Sequence, residues 1–336
     1  MAEIGLSFGC SHGPLLSTPP EQWDKRAGAD RRNPELWFEG RTWTFDELVA
    51  ERNGVETFTK EVEVDVRRAR ARACHAAIES LGDLLDSEAA PDILVVVTDD
   101  QREVFTEELQ PVFAVYQGSD VPHLPVDEEE MEAISPGLGL AVKGHTPEKE
   151  TSYRCVPELA SHIVEGLMHD GFDIATSERL PDGKHGRSVG HGFGFIYKTV
   201  LKRPIPFVPV FLNSFYAPNQ PTATRCLAFG QALARAVRSW DDDRTVGFVA
   251  SGGLSHFVIE EEFDRPFLDA VQREDLEFLS GIPNNRLQSG TSEVRNWITV
   301  AGALAGSGLK AELMDYVPCY RSEAGTGSGM GFMTWR

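Results

Sequence analysis

The pattern of apolar and polar positions switches repeatedly between a strand period and a helix period. Residues 3–9 form a short apolar run that stops at the bend Cys10-Ser11-His12-Gly13-Pro14, and they read as a buried first strand. Residues 61–86 carry Val66, Ala69, Ala73, Ala76, Ile78 and Leu81 at helical spacing and predict a long helix. The run 93–97, after Pro91, is β-branched without polar alternation, the mark of a strand covered on both faces. It leads into the acidic loop Asp99-Asp100-Gln101. Residues 157–171 are amphipathic and helical, and 204–212 read as an apolar strand whose prolines point to an edge or irregular position. A helix over 226–240 and a strand over 245–250 follow, the strand stopping at Ser251-Gly252-Gly253. A last helix spans 290–305, with Ser289 or Thr291 as its N-cap. Thr44 and Glu47 have the spacing of a capping box, and the Gly- and Ser-rich stretch 323–331 reads as a close-packed loop. Strands alternating with helices predict an α/β fold with an at least partly parallel sheet.

Composition narrows the functional classes. A chain of 336 residues with 41% hydrophobic residues can bury one large core or two coupled ones. The formal net charge of -20 argues against a nucleic-acid partner. The locally basic run Arg67, Arg68, Arg70 and Arg72 reads as a solvated helix face. Five scattered cysteines, none in a Cys-x-x-Cys pair, fit free thiols in a reducing, cytoplasmic setting. Residues 1–14 lack a basic stretch followed by an apolar core, so no secretory leader is expected, and the apolar runs are too short to span a bilayer.

Four stretches place an ionisable side chain in a glycine-rich bend: His12 in CSHGP, His191 in VGHGFGF, His256 in SGGLSHF and Glu293 in SGTSEVRNW. Glycine lets the backbone approach a ligand closely, so these bends are candidates for a site. Two of them, those of His12 and His256, lie with Gln101 just past expected strand ends, where open α/β sheets bind ligands. His75, His162 and His169 fall on expected helices as surface or boundary residues, and His123, His145 and His185 fall in polar loops as solvated ones.

Taken in order, these stretches resemble the class III extradiol dioxygenases, the family of the protocatechuate 4,5-dioxygenase β subunit. The matching pieces are Ser11-His12, residues 95–105, His191-Gly192, Asn213 with Arg225-Cys226-Leu227-Ala228, Gly252 to His256, and Ser292-Glu293 ahead of Trp297 and Gly302-Ala303-Leu304. Ser17-Thr18-Pro19-Pro20, the Asp-Asp-Gln loop and Tyr320-Arg321-Ser322 with Gly325 to Gly327 are similar to the gallate and 3-O-methylgallate branch. The resemblance implies a single catalytic domain over 1–336, built on a central mixed, largely parallel sheet flanked by helices. An N-terminal insertion at about 15–85, with aromatics Trp23, Trp37, Phe38, Trp43 and Phe45, would serve as a lid or as a homodimer contact.

The resemblance also implies non-haem Fe(II), a small aromatic substrate and O2. His12 and Glu293 match two metal ligands, and the third position falls on Gln101, where better-known members have histidine. Three arrangements stay open: Gln101 ligates through oxygen, Asp100 or Glu103 replaces it, or water fills the position. Harder ligands would also suit Mn(II) or Mg(II). His256 is implied as the base that takes a substrate proton and His191 as the acid, roles that need groups titrating near neutrality. A substrate carboxylate needs a buried cation, for which Arg321 leads, with Tyr320, Ser322 and Asn213 as helpers. The competing readings are a zinc-type ring opener or metal-dependent hydrolase on the same fold, and a non-catalytic binding relative.

Overall fold

A strand sandwiched between two helical layers needs apolar side chains at every position, and the run 93–97 supplies them. The computed structural model describes residues 1–126, 139–184 and 186–336. In chain order its strands are β1 (Glu3–Ile4), β2 (Ser7–Cys10), β3 (Leu36–Phe38), β4 (Arg41–Trp43), β5 (Ile93–Asp99), β6 (Phe113–Tyr116), β7 (Asp120–His123), β8 (Thr151–Arg154), β9 (Ala175–Ser177), β10 (Phe207–Leu212), β11 (Thr245–Ser251), β12 (His256–Val258), β13 (Ala311–Tyr320) and β14 (Thr326–Trp335). One ten-stranded sheet runs β12-β14-β2-β11-β5-β10-β6-β9, with β1 also on β11 and β13 on β14. Its centre, β2-β11-β5-β10, is parallel, and antiparallel β14 and β6 flank it.

Alternate residues of β5 feed two cores. Ile93, Val95 and Val97 face the helices Pro157–His169, Ala223–Ser239 and Val294–Leu304, whereas Leu94 and Val96 face the helix Val64–Leu85. Each such burial contributes roughly 1.5–3 kcal/mol. Phe38, Trp43 and Phe45 of the insertion form a separate cluster with Val258 and Ala324, next to β12. Trp23 is buried in the core beneath the long helix. These insertion aromatics therefore cap their own chain's core. The capping box forms as expected: Glu47 N–H donates to Thr44 Oγ1, and Thr44 N–H to the Glu47 carboxylate at 2.8 Å. No helix among the described residues is long and apolar enough to cross a membrane.

Five expectations change. The first strand is two, because the Ser7 hydroxyl donates to Gly5 O and accepts from Phe248 N–H, interrupting the ladder between β1 and β2. The proline-bearing β10 is interior, lying between β5 and β6. Pro209 is tolerated because pairing with β6 begins only at Val210, so its missing N–H removes no registered rung there. The Gly-rich tail is a strand, β14, not a loop. Its glycines fit where neighbours crowd the strand: a Cβ on Gly327 would lie 2.2 Å from Cys319 O, one on Gly329 2.3 Å from Asp264 Oδ2 and one on Gly331 2.9 Å from the Leu254 side chain, while Trp297 presses on Gly9 of β2, 2.4 Å from a Cβ there. Neither Ser289 nor Thr291 caps the last helix, which grows directly out of a 3-10 turn, Ser289–Glu293. Arg67 is buried, donating to Arg321 O at 3.1 Å, while Arg68 is on the exposed face, bound to Glu21 and Asp65.

One ion pair fastens the insertion to the sheet. Arg321, just past β13, is 2% exposed and grips Asp30 through Nε and Nη2 at 2.7 and 2.8 Å. Removing one member of a buried pair leaves the other charged and desolvated, which costs ~3–5 kcal/mol. Arg321→Ala should therefore lower the unfolding free energy measured by urea titration by ~3–5 kcal/mol, and a midpoint equal to the parent's would contradict this role.

Candidate functional site

Four polar groups gather at the C-terminal edge of the parallel strands. β2 delivers His12, β5 ends in Asp99, β11 leads into Gly252-Gly253, and the 3-10 turn before the last helix carries Glu293. His12 is buried and its Nδ1 lies 2.8 Å from Ser251 Oγ. That hydroxyl gives its own proton to Gly192 O at 2.8 Å, so it accepts from His12 Nδ1–H. The tautomer is thereby assigned, and Nε2 carries a lone pair. This Nε2 is buried without a hydrogen-bond partner, 3.6 Å from Glu293 Oε2. Burial pulls the imidazole down to about 3, which keeps it neutral. Gly192 is required here, because a Cβ would lie 2.1 Å from Thr98 Oγ1 and 3.1 Å from the His12 ring.

Glu293 is the hub. Its Oε2 accepts Gly253 N–H at 2.6 Å, and its Oε1 accepts Gln101 Nε2–H at 3.2 Å and faces His256 Nε2 at 3.2 Å. Burial works to raise this carboxyl, but His256 and His12 outweigh it and hold it at about 2. His256 donates Nδ1–H to Leu254 O at 2.9 Å, which turns Nε2 inward. Ser255 braces that bend, donating to Asp264 Oδ2 at 2.6 Å and accepting Glu260 N–H at 2.7 Å.

His191 is governed by a different partner. Its Nδ1 is 2.6 Å from Glu103 Oε2, and its backbone N–H also points at that carboxylate. Burial opposes protonation, yet the Glu103 charge wins and raises His191 to about 10 while Glu103 falls to about 2. The ring stands edge-on to His12, centroids 4.6 Å apart. Asp99 receives Asn296 Nδ2–H and Gln101 Nε2–H, each at 3.3 Å. Burial first, then the neighbouring Glu293 charge, raises its carboxyl.

Ligand atoms of His12, Asp99, His191 and Glu293 all lie within 4.8 Å of one another. Neutral imidazole and carboxylate oxygens suit a divalent first-row ion or a harder one. An orphaned Nε2 and two mutually repelling buried carboxylates are what such a cation would relieve, so the residues fit a metal. The cavity beside them is about 370 Å³, within the usual range for small-molecule sites.

The expected site residues sort cleanly. His12, Glu293, Gln101, His191 and His256 converge and all line this cavity. Gln101 reaches the carboxylates through its amide nitrogen. Asp100 and Glu103 are not replacements for it: Asp100 accepts the Val104 and Phe105 N–H groups at 2.9 Å each, and Glu103 is taken up by His191. Asp99 was overlooked, although an acid closing a β-branched strand is a signal, since a core strand tolerates one only with a partner.

The expected substrate-binding set is elsewhere. Arg321 is committed to Asp30, and Tyr320 donates to Glu261 at 2.9 Å. Ser322 is 2.6 Å from Thr326 Oγ1, and Asn213 closes its own loop onto Tyr216 and Asn219. None of the four lines the cavity. Two cations do, Arg26 and Lys184, together with His145, whose ring is 5.9 Å from His191. His145 and His123 are thus not solvated; His123 is 1% exposed, its Nδ1 3.1 Å from Tyr153 Oη. His185 lies outside the described residues. A signal for Arg26 exists in WDKRAGAD, where Trp23, Arg26, Ala27 and Asp30 share one helix face.

Residues 64–331 match the family described as the catalytic LigB subunit of aromatic ring-opening dioxygenase. Gallate dioxygenase of Pseudomonas putida is 30% identical over 174 residues, 48% of this chain and 49% of that protein. A 2,3-dihydroxyphenylpropionate/2,3-dihydroxicinnamic acid 1,2-dioxygenase of Comamonas testosteroni is 31% identical over 176 residues, 50% of this chain and 44% of that protein. A protein of the same description from Cupriavidus necator is 24% identical over 281 residues, 67% of this chain and 80% of that protein. The match thus spans about half the length of the first two relatives. With its sheet, its histidines and its buried carboxylates in place, this chain belongs to the LigB family of extradiol aromatic ring-opening dioxygenases.

Proposed function

We propose that this protein is a non-haem Fe(II)-dependent dioxygenase that opens the ring of a catechol- or gallate-type aromatic acid with O2. The observation that carries the reading is the buried, partnerless Nε2 of His12 facing the Glu293 carboxylate at the end of the parallel strands. The likeness to a gallate dioxygenase and to dihydroxyphenylpropionate dioxygenases supports the substrate class.

His12 and Glu293 would hold the ion, with Asp99 and Gln101 at the third position, while His191 stands beside the donor set without ligating. When bound, the ferrous ion supplies Lewis acidity toward a deprotonated catechol and a place for O2 beside it. His256 presents Nε2 to the cavity while Leu254 O holds its other nitrogen, so it is placed to take a proton from a substrate hydroxyl. His191, kept protonated by Glu103, is placed to return a proton as the ring opens. Phe195 and Phe257 add apolar wall that limits water at the reacting ring.

Two measurements test this. After anaerobic purification with Fe(II), oxygen uptake is expected with 3-O-methylgallate, gallate or protocatechuate, and His256→Phe should lower turnover by ~10²–10⁴-fold; full turnover in that variant removes His256 as the base. Ser251→Ala takes away the acceptor that fixes the His12 tautomer. Its affinity for Fe(II) or Mn(II), measured by titration, should fall ~10–100-fold, and an unchanged affinity argues against His12 as a ligand.

A further inference from the structure

The cavity contains a charge that the proposed chemistry does not use. Arg26 sits on the short helix Asp24–Asp30 of the insertion, between Trp23 and Asp30 on its inward face. The helix is pinned at both ends. Trp23 is buried and donates Nε1–H to Thr18 O at 3.0 Å, and Asp30 is held by Arg321 and by the Thr326 hydroxyl at 2.6 Å. Asp30 is one turn from Arg26, but its Oδ1 and Oδ2 already accept from other donors. Among the described residues, the other acids of the cavity wall are also engaged: Glu103 by His191, and Glu293 by Gly253, Gln101 and His256. Arg26 Nε is buried and has no hydrogen-bond partner among the described residues. Lys184, the other cation among the described lining residues, is exposed.

Arg26 is half-buried, and a buried guanidinium Nε–H without an acceptor is costly and rarely kept. A planar fork of donors facing a cavity suits one class of ligand, a carboxylate. We infer that Arg26 binds the carboxylate of the aromatic substrate and thereby selects anionic over neutral catechols. The inference rests on the ring-opening function proposed above. It places the ring between two fixed ends, with the hydroxyls toward His12, Glu293 and His256 and the acid group toward Arg26. It also accounts for anion capture by a chain of net charge -20, which repels anions at long range.

Matched substrate pairs that differ only in the carboxylate test it: gallate against pyrogallol, and protocatechuate against catechol. In Fe(II)-loaded Arg26→Gln, the ratio of kcat/KM for the acid to that for its neutral partner should fall ~10–100-fold, through KM more than kcat. Arg26→Lys should restore part of the ratio. An unchanged ratio overturns the inference. Arg26→Met should unfold no earlier in urea than the parent, because no partner is stranded; a large loss of stability would mark Arg26 as structural and overturn it. Calorimetric binding of protocatechuate and catechol to the metal-free protein separates this proposal from the catalytic one. Preference for the acid in the parent, lost in Arg26→Gln, supports Arg26 even if no ring is opened with any metal. Absence of that preference in the parent sinks it even if rings are opened.

Discussion

The Glu293 carboxylate must be brought, buried and ionised, against two imidazoles, and the backbone around it is shaped by that demand. The closest approach is Gly253 N–H at 2.6 Å from Oε2. A Cβ on Gly252 would press on Asn296 and on Glu293 itself, and one on Gly290 would lie 2.0 Å from His256 O. The glycines after β11 and in the 3-10 turn are therefore the condition for Glu293, Gly253 and His256 to meet. Trp297, one turn further along, donates to Gly252 O at 2.8 Å and lies over Gly9 of β2. The same helix thus fixes the loop that braces Glu293 and the strand that delivers His12.

Around this carboxylate, three histidines of one residue type are driven to different states by their second nitrogen. His12 meets a hydroxyl already committed as a donor elsewhere and stays neutral, its lone pair free for a ligand bond. His191 meets a carboxylate and is held protonated. His256 meets a backbone carbonyl, a neutral acceptor, and Glu293 then raises it. A ligand, an acid and a base follow from Ser251, Glu103 and Leu254 O rather than from the imidazoles.

Much of this was legible because local signals agreed with the fold. The unbroken β-branched run gave β5, the Thr44–Glu47 spacing gave a capping box, and the histidines in glycine bends gave the site. What stayed hidden depends on partners distant in sequence. Gln101 occupies the expected ligand position, but beside its local hydrogen bond to Asp99 its amide also runs to Glu293, 192 positions away, which only the folded sheet puts in reach. The strand β14 is hidden because its glycines signal a loop when the Cys319, Asp264 and Leu254 groups that crowd them are out of view. Arg321 carries the residue type that a carboxylate site needs, and nothing local announces that its acid is 291 positions away.

Arg321 and Arg26 show how position in a network, not residue identity, separates scaffold from site. Both are arginines near Asp30, Arg321 fully buried and Arg26 half-buried with its Nε out of reach of solvent. Arg321 takes both of its oxygens, so its charge is neutralised within the fold and ties the insertion helix to the end of β13. Arg26 is left with the cavity as its remaining outlet. The pairing of one creates the vacancy of the other: were Asp30 free to rotate toward Arg26, the guanidinium would be satisfied and the cavity would lose its cation. The insertion is then more than a cover on the core, because its fastening to the sheet keeps a positive charge at the cavity wall unpaired by Asp30 and available.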